Sequence, residues 1–76
     1  MKNHFKKSML TYRTLDRFEQ DNARESFTDR QAERIEFAAY VANMNQCAHP
    51  EWTEDDIYTD FLRVLDIEKH TAAFNA

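Results

Sequence analysis

The sequence contains no glycine and a single proline, Pro50, so it lacks the residues on which hairpins, bulges and tight β-turns rely. That absence argues against a strand-rich fold and leaves helices joined by short polar breaks. There is one cysteine, Cys47, which excludes an intrachain disulfide scaffold and suits a reducing, cytoplasmic setting. Long hydrophobic runs are also missing. The most apolar stretch, Phe37 to Val41 with Ile35 just before it, falls far short of the roughly 20 residues that span a bilayer, so no membrane partner is expected. The basic start around Lys6 and Lys7 leads into Met9, Leu10, Thr11, Tyr12 and Arg13. This provides neither the apolar segment nor the small-residue cleavage site of a secretory leader, and secretion is not expected.

What is present bounds the answer. Seventy-six residues hide too little surface for two independent cores, so one domain over 1–76 is expected. An aromatic share of 13% lets so short a chain bury more apolar area per residue than aliphatic side chains would. A domain of this size is marginally stable alone, which makes a homo-oligomer or a larger partner a reasonable expectation. The net charge of −4 is unevenly placed. Lys2, Lys6, Lys7 and Arg13 stand without an acid among residues 1–13, whereas Glu51, Glu54, Asp55, Asp56, Asp60, Asp66 and Glu68 face only Arg63 and Lys69 beyond residue 47.

The pattern predicts an all-α fold, a compact three-helix bundle with the second helix central. The first helix is expected from near Phe5 to near Asn22, capped by Asn3 or Ser8, with Phe5, Met9, Tyr12, Leu15 and Phe18 as its buried stripe. Thr28 followed by Gln31 has the spacing of a capping box and starts a second helix over Asp29 to about Gln46. Its middle, Ile35 to Ala42, is apolar nearly all round, and Ala38, Ala39 and Ala42 allow a neighbouring helix to approach closely. Pro50 ends that region. Thr53 then caps a third helix whose Glu54, Asp55 and Asp56 complement the macrodipole, while Trp52 can pack on Ile57 as a hydrophobic staple. Ile57, Phe61, Val64 and Leu65 form its inner stripe. Residues 71–76 read as a frayed tail unless Phe74 folds back.

No catalytic or metal motif is apparent. Cys47 and His49, with His4 or His70, offer no second pair of ligands and no zinc spacing, so neither metal nor cofactor is expected. Cys47 is expected instead to be a small buried hydrophobe. A Cys47–His49 nucleophile lacks a third group to orient it. Asp56 and Asp60, one turn apart, belong on a solvated helix face rather than in a cleft with the differing environments that acid–base work needs. The chain is therefore expected not to be an enzyme.

Two binding classes remain. Lys2, Lys6, Lys7 and Arg13, interleaved with Phe5 and Tyr12, suit a small helical DNA-binding transcriptional regulator. Against this, the aromatic residues fit a core stripe, and the rest of the chain repels phosphate. Arg30 and Arg34 also alternate with Glu33 and Glu36, as in surface ion pairing along one helix. Glu54, Asp55, Asp56, Asp60 and Asp66, in turn, can occupy a basic groove on another protein and steer association, in the extreme standing in for nucleic-acid phosphates. The preferred expectation is a small acidic protein-interaction module, an inhibitor or modulator docking on a larger protein, nucleic-acid-binding proteins included. Compact phage and mobile-element proteins, host-defence antagonists among them, work in this way. A structural subunit stable only within an assembly is a third reading.

Overall fold

Two threonine caps set the frame. In the computed structural model, which describes residues 9–75, Thr28 Oγ1 accepts from the Gln31 amide at 3.1 Å while Gln31 Oε1 accepts from the Thr28 amide at 3.1 Å. Thr53 and Asp56 repeat the arrangement at 3.3 and 3.0 Å. Each reciprocal pair satisfies donors that a helix start would otherwise leave open. The helices are α1 (Met9–Asp21), α2 (Asp29–Ala48), α3 (Glu54–Lys69) and the single turn α4 (Ala72–Asn75), with no strand among the described residues. The expected start of the first helix at Phe5, its caps at Asn3 or Ser8, and Lys2, Lys6 and Lys7 lie outside the described residues. No helix described is long and apolar enough to cross a membrane.

The second helix is central because its alanines let it be. Ala38, Ala39 and Ala42 are fully enclosed, and α2 contacts α1, α3 and α4. With only a methyl group at each position, a partner helix can come close without forcing side chains off their rotamers. The core cluster joins Ile35 and these alanines to Phe18 of α1, to Ile57, Tyr58, Phe61, Val64 and Leu65 of α3, and to Phe74 of α4. Phe61 lies at its middle, edge-on to Phe18 with centroids 5.3 Å apart and tilted against Tyr58 at 5.7 Å. Trp52 packs against the cluster from the turn before α3. Phe74 folds back onto the bundle, its amide donating to Thr71 Oγ1 at 3.2 Å while the Thr71 hydroxyl donates to the Glu68 carbonyl at 2.7 Å.

α1 shows a different inner face from the one expected. Met9 and Tyr12 are exposed at 68% and 51%, and the enclosed positions are Thr11, Thr14 and Phe18. Phe18 and half-buried Leu15 keep the expected stripe, while at its start Met9 and Tyr12 give way to Thr11, one residue and so roughly 100° around the helix from Tyr12. Threonine can be enclosed where its hydroxyl finds a partner inside the helix, and Thr14 Oγ1 donates to the Leu10 carbonyl at 2.9 Å. Phe37 also departs from the fully apolar second helix. It is half-buried and lies outside the core cluster, and the Arg34 guanidinium lies 4.5 Å from its ring centroid, so the ring serves a cation.

Candidate partner-binding surfaces

The acidic residues of α3 do not form one face. Asp60, expected on solvated surface, is only 9% exposed. Its Oδ2 accepts from Asn45 Nδ2 at 2.9 Å, and its Oδ1 accepts from Arg63 Nε and Nη2 at 3.0 and 2.8 Å. Position 60 flanks the inner stripe of Ile57, Phe61 and Val64, and its carboxylate is tolerated there because both oxygens are engaged. Asp60 is thus a structural tie between α2 and α3. Glu68, also buried, does the same: its Oε1 accepts from Arg34 Nε at 2.6 Å and lies 2.6 Å from Arg34 Nη2 in an ion pair. The expected pairing of Arg34 along its own helix is therefore replaced by a cross-helix pair.

Glu54 and Asp55 face α1. Arg13 Nη1 donates to Glu54 Oε1, and Arg17 Nη1 donates to Asp55 Oδ1 at 2.7 Å. Arg17 also covers the Tyr58 ring, 4.1 Å from its centroid. Asp56 is exposed but serves the cap of α3, and Asp66 is exposed near the helix end. Arg13, the described member of the basic candidate set, is thereby turned toward acid. These exposed pairs contribute little stability each; their effect here is to cancel charge where α1 meets α3.

Tyr58 is where burial alters a titration. Its hydroxyl donates to Asp21 Oδ2 at 2.9 Å. Burial, then the hydrogen bond to Asp21, pushes its pKa up to about 12. The folded chain holds the phenol neutral to higher pH than the unfolded chain does, so this contribution to stability is intact below about pH 10 and is lost as pH rises toward about 12. Melting temperatures should therefore fall more steeply over that range for the wild type than for Tyr58→Phe. Parallel curves would show that Tyr58 is not held in its neutral form.

Cys47 is exposed rather than buried, and its thiol reaches the Asn43 carbonyl at 3.7 Å. It lies at the last turn of α2. His49 is exposed and stacks on Trp52, with ring centroids 4.5 Å apart and planes 6° from parallel. No group of three or more His, Cys, Asp or Glu side chains suited to a metal occurs among the described residues.

A second acidic surface lies between α1 and α2. A groove of about 580 Å³ has Leu15, Phe18, Phe27, Ala32 and Ile35 along its floor, with Asp16, Glu19, Glu25 and Glu36 in its lining and no Lys, Arg or His among the described residues that line it. The sequence carries a signal for it that charge totals miss. Asp16 and Glu19 stand beside Leu15 and Phe18, one helical turn apart, so α1 presents carboxylates next to its apolar edge. Comparison with family models, curated proteins and solved structures finds no match for the chain, and its function must be argued from these surfaces.

Proposed function

We propose that the chain is a small acidic helical protein-interaction module, an inhibitor or modulator that docks on a larger protein with a basic surface. Such modules are typical of phages and mobile elements, where they include antagonists of host defence. In this reading the chain acts in the cytoplasm and performs no chemistry of its own. The observation that carries the proposal is the turning of Arg13 and Arg17 of α1 onto Glu54 and Asp55 of α3. Charge cancels along this seam, and a chain of net charge −4 is left with acidic surface elsewhere, including the groove between α1 and α2. A DNA-binding regulator needs a continuous basic track; here these arginines would first have to leave their carboxylates.

The test is purification of the tagged chain from its native host, followed by reconstitution with the co-purified protein from separately purified components. A defined complex with one protein is expected, together with unchanged mobility in native gels when duplex DNA is added at low salt. A shifted DNA band, without any reconstituted protein complex, would favour the regulator and overturn the proposal.

A further inference from the structure

We propose that the groove between α1 and α2 is the docking site for a basic amphipathic helix of the partner protein. The proposal rests on the reading of the chain as a protein-interaction module and names where, and to what, it binds.

The floor of the groove is continuous with the core. Phe18 and Ile35 are 6% and 5% exposed and are held by packing, whereas Leu15 and Phe27 are half-buried and still present apolar surface. Ala32, with only a methyl group, leaves room above the floor. A volume of about 580 Å³ accommodates the few large side chains that an amphipathic helix offers at i, i+3 or i+4, and i+7.

Charge chooses among the occupants. Asp16, Glu19, Glu25 and Glu36 line an apolar concavity with no cationic side chain among the described residues that line it. Carboxylates of one sign beside a low-dielectric floor focus a negative field there. Nucleic acid is repelled. A second copy, carrying the same charge of −4, is a poorer match than a cationic partner. A neutral apolar helix would desolvate the rim without compensating it. A helix with leucine or aromatic anchors on one face and lysine or arginine beside them satisfies both features, because the long basic stems lie along apolar surface while their charged heads reach the rim.

The probe is a fluorescein-labelled helix of about 18 residues, composed only of leucine and lysine with the leucines on one face, titrated with the full chain and followed by anisotropy. Saturable binding is expected. Glu19→Lys combined with Glu25→Lys should weaken it at least about tenfold, and Ala32→Trp, which fills the groove, at least about fivefold, whereas Glu51→Lys, exposed in the turn before α3, should leave it within about twofold. A peptide of identical composition with scrambled order should bind about tenfold more weakly. Glu19 and Glu25 are exposed, so the double variant tests the groove even if Ala32→Trp disturbs folding; circular dichroism checks that each variant is folded. Equal binding of the ordered and scrambled peptides would reduce the effect to bulk charge and overturn the proposal. If Glu51→Lys weakens binding and the groove variants do not, the groove is wrong while the interaction reading stands. If the groove variants leave binding of the co-purified partner unchanged, the groove is again overturned; if no protein partner can be reconstituted, the underlying reading fails as well.

Discussion

Phe61→Ala is expected to destabilise the fold by about 3–5 kcal/mol, the cost of emptying a core aromatic site that its surroundings cannot refill. Phe61 is fully enclosed and touches rings from two directions, Phe18 edge-on and Tyr58 tilted. Truncation removes the buried area, leaves a cavity between α1 and α3, and abolishes both ring contacts. A chain of 76 residues has a total stability of roughly 4–11 kcal/mol at the usual value per residue. The loss is therefore comparable with the whole, and the variant should be partly unfolded at moderate temperature. Phe37→Ala should cost clearly less, about 1–2 kcal/mol, because Phe37 is half-buried and its ring lies beneath Arg34. Urea denaturation of the two variants side by side measures the difference. Equal losses would mean that α2 buries Phe37 as deeply as α3 buries Phe61.

The second large effect comes from adding atoms rather than removing them. Ala39→Leu should cost about 1–3 kcal/mol, because Ala39 is fully enclosed where α2 lies against its neighbours. The intrinsic helix propensities of alanine and leucine are similar, so the loss reports crowding between helices rather than a weaker helix. Thermal unfolding provides the readout. A variant as stable as wild type would show that slack remains at the crossing and that close approach is not what the alanines provide.

These two sites also show how far the sequence was legible. The alanine run and the helix starts at Thr28 and Thr53 depend on neighbouring residues in the chain, and local rules read them correctly. The inner face of α1 depends on what it meets. Thr11 and Thr14 are enclosed while Met9 and Tyr12 face solvent, and nothing in the spacing of large side chains reveals that threonines will take the inner positions. Asp60 and Glu68 are missed for the same reason. A carboxylate reads as surface until a donor from another helix is known, and those donors, Asn45 and Arg34, come from α2. The acidic end of the chain was legible as composition, whereas its division among a cap, cross-helix ties and exposed groups required the fold. The groove required it entirely, since it is bounded by two helices and the turn between them.

The proposed function is binding of protein through acidic surface, without binding of nucleic acid. Its most direct test is the association rate of the wild-type chain with the co-purified partner, measured across ionic strength beside a titration of duplex DNA at the lowest salt. Association is expected to slow steeply as the Debye length shrinks toward about 8 Å at physiological ionic strength, and no DNA complex is expected to form. The proposed function would be contradicted by association that is indifferent to salt, or by a DNA complex that disappears in the Lys6→Glu, Lys7→Glu double variant.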